Sequence, residues 1–523
     1  MRLQDLPPFR NEPLTDFSKP ENRAAMEAAL EKVRAQFDRH YPLIIGEDEI
    51  YLDETIASLN PSHPDQVVGR VSAATAEHAA RAVEVAYEAF QTWRKTPAEE
   101  RAAILLKAAQ LMRERKHEFS AWMVYEVGKS WPEADADTAE AIDFLEYYAR
   151  QMLDIEERAP KLVYQIPTER STYRYIPLGV GAIITPWNFP VAIFTGMVSS
   201  ALVTGNTVVA KPAEQSPVVA YHVVQLLYEA GIPRGVLNYL PGYGEVAGEA
   251  LVVHPKTRFI SFTGSKEVGI HINQRAAEIQ PGQIWLKRTV LEMGGKDAVI
   301  VDETADLDAA TEGVVVSAFG FQGQKCSAGS RAIFVEDVYD EMVQRVIERT
   351  KQLKIGDPVD PTVFLGPVID TDAVNKIMSY IEIGHDEGNL VLGGKRLDLD
   401  GGYFIEPTIF TDVPWDARIA QEEIFGPVLA IIKAKDFDDA LRIANSTEYG
   451  LTGSVYSRDR ARLERAADEF HVGNLYFNRK STGALVGVHP FGGFNMSGTD
   501  SKAGGPDYLL LFLQPKSISE KIK

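Results

Sequence analysis

A doubly wound α/β fold built from more than one domain is what this sequence predicts, on three observations. Its 523 residues exceed what one hydrophobic core usually organises. From residue 178 onwards short apolar runs alternate with helical stretches, the pattern of parallel strands joined by crossover helices. The first 155 residues read mainly as helix instead. Ala25, Ala29, Leu30, Val33 and Phe37 recur at helical spacing, and 75–95 and 98–128 repeat the pattern.

Taken in order, LVYQIPTERSTYRYI (162–176) switches to β-branched and aromatic residues around a polar turn and predicts a hairpin. LGVGAIITP (178–186) predicts a strand, 188–205 a helix, and NTVVAKP (206–212) the next strand, ending near Lys211. A helix over 217–231 closes at Gly231. A strand at 236–242, a helix at 245–254 and the strand RFISFTG (258–264) follow. This alternation is that of a nucleotide-binding sheet. A second α/β unit starts near TVLEMGGKDAVIVD (289–302) and runs through the strand 331–337 and the helix 339–353 to about residue 480. LLLFLQPKSISEKI (509–522) reads as a strand with an exposed apolar face, which predicts pairing with another element or subunit.

Composition narrows the function. Lys+Arg number 54 against 74 Asp+Glu, a net charge of −20 that disfavours nucleic acid and anionic membrane surfaces as partners. The one cysteine, Cys326, excludes an internal disulfide or a thiolate metal cluster, so no metal is expected and the chain reads as cytoplasmic. The N-terminus has neither a secretory nor a transit pattern. No charge occurs between Arg174 and Lys211, but prolines and glycines break that stretch into pieces too short to span a bilayer.

Four places could carry chemistry. Cys326 lies in GFQGQKCSAGSR, among small residues and beside Lys325, a setting that favours thiolate, although a free cysteine is as readily an inert core residue. GSKEVG (264–269) follows a strand and opens a helix whose N–H groups could receive a pyrophosphate or merely cap the helix. Lys211 and Glu214 leave a parallel strand end. A carboxylate there accepts ribose hydroxyls and repels a 2′-phosphate, favouring NAD over NADP, unless the two are a solvated pair. Glu292, between Leu291 and Met293, should have a raised pKa suited to a general base, or be structural.

In their order along the chain, TPWNFP (185–190), VVAKPAE (208–214), FTGS (262–265), LEMGGK (291–296), GQKCS (323–327), EEIFGP (422–427) and PFGG (490–493) resemble the aldehyde dehydrogenase superfamily over nearly the whole length. The resemblance implies a Rossmann-type NAD-binding domain over 1–158 and 177–288 with roughly 484–505. It implies a catalytic domain over 289–483 and a small β arm for homo-oligomerisation from 159–176 and 506–523. Cys326 would be the nucleophile, with Asn188 and the Cys326 N–H holding the oxyanion and Glu292 activating the hydrolytic water. NAD would be held by Ile184, Pro186, Trp187, Lys211, Glu214, Gly244, Gly264 and Ser265, with Glu423 and Phe425 at the nicotinamide end.

AEAIDFLEYYAR (139–150), AFGFQGQKCSAGSR (318–331) and STGALVGVHPFGG (481–493) are similar to the branch that oxidises L-glutamate γ-semialdehyde, the open form of 1-pyrroline-5-carboxylate, in proline catabolism. Such a substrate needs donors for its carboxylate and an acid for its ammonium. Gly483, Ala484 and Ser327 could supply the first. Glu140 could supply the second or be a structural ion-pair member. Lys325 would lie along the substrate, and Phe189 and Phe491 would wall its aliphatic part or be core aromatics. A longer semialdehyde such as that of α-aminoadipate, and a non-catalytic NAD-binding homologue, are the competing readings.

Overall fold

The structure, a computed structural model, describes residues 2–523. Two mostly parallel seven-stranded sheets organise it. In the first, the spatial order is Arg288–Glu292, Thr257–Thr263, Val180–Ile184, Thr207–Lys211, Leu237–Tyr239, Leu43–Ile45 and Asp48–Ile50. The first five are parallel, and the last two join through antiparallel pairings, Leu43–Ile45 with Leu237–Tyr239 and Asp48–Ile50 with Leu43–Ile45. The central strands are apolar runs because both faces are covered: every residue of Thr207–Lys211 is buried. The chain builds outward from Val180–Ile184 to one side and then returns to its other side with Thr257–Thr263, a topological switch point where ligands bind such sheets. Register brings Ile184 level with Lys211 and with Phe262, so three neighbouring strands end together there.

The second sheet runs Asn389–Leu392, Thr408–Thr411, Val428–Ala434, Arg331–Val335, Ala298–Val301, Thr452–Tyr456 and Asn474–Phe477, with only the first strand antiparallel. Each sheet has its own apolar core. The predicted α/β class with parallel sheets is therefore the observed one. Among the described residues no helix is long and apolar enough to cross a membrane.

Four expectations are corrected. Residues 39–72, within the helix-rich first part, contain five strands, two of which complete the edge of the first sheet. The segment 289–302 does not start one unit. Arg288–Glu292 finishes the first sheet and Ala298–Val301 enters the second, so the chain changes sheets across Met293–Asp297. The hairpin over 162–176 does not form: Glu169–Pro177 pairs antiparallel along its whole length with Leu513–Lys521, and the only local pairing is an Ile166–Glu169 bridge. Alternation announces a strand but not its partner, here more than three hundred residues away. The C-terminal strand also lacks the expected apolar face. Leu509, Phe512 and Leu513 are buried in the first core, and the residues beyond them are largely polar and exposed.

Candidate active site

The loop that carries Cys326 is fixed by backbone geometry. The helix Leu307–Phe319 ends at Gly320, and Phe321, Gln322 and Gly323 then turn through left-handed φ of +49°, +57° and +67°. Left-handed backbone costs a non-glycine residue about 1–3 kcal/mol. Hydrogen bonds offset it here: Gln322 Nε2 donates to the carbonyls of Gly128 (3.1 Å) and Pro367 (2.8 Å), and the Ile369 N–H donates to Gln324 Oε1 (2.9 Å). Gly323 admits no side chain, since a Cβ there would lie 2.2 Å from the Gly426 carbonyl oxygen. The turn delivers Cys326 to a pocket of about 390 Å³, into which it is partly exposed.

Glu292 reaches the same pocket from the end of its strand. The glycines that follow allow it: a Cβ on Gly295 would come within 2.4 Å of the Cys326 carbonyl oxygen, and one on Gly294 equally close to the Glu423 carboxylate. Glu423 Oε1 accepts the Gly295 N–H at 3.0 Å, so this strand end is clamped between the Cys326 loop and Glu423. Burial pushes the Glu292 carboxyl up to about 8, against the hydroxyl of Ser501, which donates to Oε1, and against nearby Lys502. Its Oε2 has no protein partner. Burial also holds the Cys326 thiol well above its ordinary value, and Asp297, Glu292 and Glu423 add to the effect.

The expected activation of that thiol by Lys325 is not what the structure shows. Lys325 lines the pocket, but its ammonium is bound to Glu133 at 2.8 Å, a partner that adjacency in sequence could not reveal. Asn188 is buried against the Cys326 loop. Its Nδ2 donates to the Gln324 carbonyl at 3.1 Å, and one amide hydrogen remains uncommitted. Among the described residues the Cys326 N–H has no protein acceptor.

The remaining substrate-side residues converge on this pocket. Glu140 comes from the long helix Trp131–Arg158, Phe189 from the turn after Val180–Ile184, Ser327 from the Cys326 loop, and Gly483, Ala484 and Phe491 from the loop after Asn474–Phe477. Among the described residues Glu140 has no ion-pair or hydrogen-bond partner, unlike the structural ion-pair member that was its alternative. Burial raises its carboxyl to about 8, with Asp137 and Asp143 adding to the rise. Gly483 has φ +78°. Arg479 occupies the Thr482 and Gly483 carbonyls (2.9 and 3.0 Å), while the Gly483 and Ala484 N–H groups find no protein acceptor among the described residues.

The cofactor-side residues gather at the switch point and on the facing second unit. Lys211 Nζ lies 3.2 Å from Glu214 Oε1, which also accepts the Gly244 N–H at 2.8 Å. Burial lowers the Lys211 pKa, and Glu214 opposes the effect. The Gly264 N–H donates to the Glu292 carbonyl at 3.0 Å. The Ser265 hydroxyl accepts the Val268 N–H at 3.3 Å, capping the helix Lys266–Ala277 as its alternative reading foresaw, yet Ser265 stays exposed. Ile184 and Pro186 lie beside Trp187, whose ring meets Phe425 edge-on at 5.6 Å, with Phe425 at φ +60°. Glu214 is half-buried and Gly244 exposed, so a sugar can approach that carboxylate.

Several residues in and around the pocket escaped sequence reasoning. Ser501 and Lys502 face Glu292, Glu133 and Lys480 stand on the wall, and Glu12 and Leu14 come from the N-terminal segment. That segment is pinned by the Asn11 side chain to Asp143 Oδ2 (2.8 Å) and the Val486 carbonyl (2.9 Å), and by the Thr15 N–H to Asp135 (2.7 Å). No local pattern announces such contacts, because both partners are polar residues far apart in sequence.

Comparison with known proteins is consistent across the chain. A family model described as "Aldehyde dehydrogenase family" matches residues 51–518. The 1-pyrroline-5-carboxylate dehydrogenase of Geobacillus sp. (strain WCH70) is 62% identical over 513 residues, 98% of this chain and 99% of that protein. A solved structure of 1-pyrroline-5-carboxylate dehydrogenase from Thermus with bound NAD superposes with a TM-score of 0.96 at 56% identity, covering 99% of this chain and 100% of the other. Proline utilization A from Bdellovibrio bacteriovorus superposes equally well at 49% identity, but this chain covers only 53% of it.

Proposed function

The chain belongs to the aldehyde dehydrogenase family, and from that premise we propose that it oxidises L-glutamate γ-semialdehyde, the open form of 1-pyrroline-5-carboxylate, to L-glutamate with NAD in proline catabolism. The observation that carries the reading is one pocket holding Cys326, Glu292 with a free buried oxygen, and an unpartnered Glu140.

The Cys326 thiolate bonds to the aldehyde carbon, and the carbonyl π pair moves to oxygen. The Cys326 N–H and the second amide hydrogen of Asn188 receive that oxyanion. NAD, when bound, supplies the acceptor for the hydride leaving that carbon. Lys211, Glu214, Gly244 and Ser265 would hold its adenosine and pyrophosphate end, with Ile184, Pro186 and Trp187 beside them. Glu423 and Phe425 would lie at the nicotinamide end. The half-buried carboxylate of Glu214 fits a ribose diol and repels a phosphate there. The resulting Cys326 thioester is attacked by water, whose proton Glu292 accepts at Oε2, and the sulfur leaves as carboxylate forms. Glu292 then returns its proton to solvent.

The first sheet with its helices serves as the cofactor half and the second carries the nucleophile. The ribbon of Glu169–Pro177 and Leu513–Lys521 is the segment we assign to contact with a second copy, because its exposed edges have backbone groups to pair. We place the reaction in the cytoplasm, since the only cysteine is the nucleophile. A steady-state assay with NAD and a panel of aldehydes tests the reading. Glutamate semialdehyde should give the highest kcat/KM, above α-aminoadipate semialdehyde; a preference for the longer substrate or for a simple aldehyde refutes it.

A further inference from the structure

Two lysines line the substrate pocket and a third, Lys129, lies behind Phe189 in its wall, and they are not equivalent. Lys129 is fully buried and paired with Asp137 at 2.7 Å, its ammonium 3.8 Å above the Phe189 ring. Lys325 is paired with Glu133 at 2.8 Å. Lys480, half-buried on the wall, has no carboxylate within ion-pair distance and no hydrogen-bond acceptor among the described residues. Burial lowers its pKa, the positive charges of Lys325 and Arg479 press the same way, and Glu133 only partly opposes them. An ammonium so placed lacks a counter-charge.

The carboxylates of the pocket divide in the same manner. Glu133 is taken by Lys325, Glu12 by Arg113 at 2.7 Å, and Asp143 by Asn11 and the Glu12 N–H. Glu292 is bound to Ser501 and reserved for chemistry. Glu140 alone has no partner. The walls therefore leave one acid and one base unneutralised, which is complementary to a molecule carrying one ammonium and one carboxylate.

The surroundings of Lys480 show which charge it meets. A Cβ on Gly483 would lie 3.6 Å from Lys480 Nζ, so the ammonium stands beside Gly483, whose N–H, like that of Ala484, finds no protein acceptor among the described residues. Arg479 has turned the carbonyls of this loop away, and Ser481 ties the loop to the nucleophile segment through the Ser327 carbonyl at 3.0 Å. Two uncommitted N–H donors and an ammonium thus belong to one short stretch of the pocket lining. We propose that Lys480 is a specificity-determining residue that pairs with the carboxylate of an amino-acid semialdehyde, while Glu140 pairs with its ammonium. This rests on the assignment of glutamate semialdehyde above and names the side chain that reads its charged head.

The test compares three aldehydes: glutamate semialdehyde, glutarate semialdehyde, which keeps the carboxylate but not the ammonium, and butanal, the same aliphatic segment with neither group. Lys480→Met should lower kcat/KM about 10- to 100-fold for the first two, the size of a lost charge-assisted contact, and leave butanal within about twofold. Lys480→Arg should restore part of the loss. If Lys480→Met depresses all three aldehydes alike, or leaves the preference for carboxylate-bearing aldehydes intact, the proposal is overturned. If the unaltered enzyme itself shows no preference for glutamate semialdehyde over butanal, the substrate assignment fails first, and the two failures are thereby told apart.

Discussion

Lys211 and Glu214, at the carboxyl edge of the first sheet, hold each other at 3.2 Å and Glu214 also accepts the Gly244 N–H, whereas Glu140 and Lys480, both in the wall of the substrate pocket, have no ion-pair partner among the described residues. Both regions are built to bind charged molecules, but they begin from different states. The cofactor edge is internally satisfied, so a sugar hydroxyl arriving at Glu214 exchanges one hydrogen bond for another. The pocket keeps desolvated groups without a counter-charge, and burial accordingly raises the Glu140 carboxyl and lowers the Lys480 ammonium. A ligand that brings both counter-charges offsets that burial, which makes charge complementarity the main source of selectivity there. Perturbing the pocket should change which aldehyde is used, and perturbing the cofactor edge should change only how well the dinucleotide is distinguished.

The largest effect is expected at the nucleophile. Cys326→Ala should lower turnover by more than about ten-thousand-fold while leaving NAD affinity, measured by calorimetry, nearly unchanged. In the unaltered enzyme iodoacetamide should modify a single site. Because burial and three carboxylates hold the thiol up, labelling should keep accelerating as pH rises past 9. A labelling rate that levels off below pH 7 contradicts that electrostatic picture.

Next in size is Glu292. Only its carboxylate form accepts the water proton, and its pKa is raised to about 8, so steady-state turnover should climb as pH rises through that value. Glu292→Gln should slow turnover by about 10²–10³-fold and flatten the climb. The initial burst of NADH should survive, since the substitution also removes one of the charges that keep the thiol protonated. Absence of a burst under rapid mixing shows that acylation or hydride loss needs the carboxylate as well.

Glu140→Gln sharpens the contrast between the regions. It should cost about tenfold in kcat/KM for glutamate semialdehyde, as expected for a lost charged contact, and little for glutarate semialdehyde. Equal losses with both aldehydes, accompanied by a lower Tm, would assign Glu140 to the scaffold. The smallest change is expected at the cofactor edge, where Glu214→Gln should narrow the NAD over NADP preference by roughly tenfold through lost repulsion. If the unaltered enzyme uses both dinucleotides equally well, the role given to Glu214 falls.

The sequence carried more of the scaffold than of the wiring. Strands such as Val180–Ile184 and Thr207–Lys211 are legible because parallel strands covered on both faces must be apolar runs. Cys326 and Glu292 are legible because the glycines beside them let two chain segments pass at backbone contact. Pairings between distant segments are not. The partner of Glu169–Pro177 lies at the C-terminus, the Lys325 ammonium turns to Glu133, and Glu292 meets Ser501, none of which leaves a local periodicity. Lys480 adjoins a segment already singled out for its backbone donors, yet its importance appears only once every neighbouring charge has been matched with its own partner.

The covalent intermediate offers the most direct measurement. Glu292→Gln enzyme mixed with NAD and glutamate semialdehyde, quenched in acid within the first turnover and weighed intact, should gain one glutamyl group, and peptide mapping should place it on Cys326. A mass unchanged from that of the free enzyme despite stoichiometric NADH release, or an adduct on any other residue, would contradict the account.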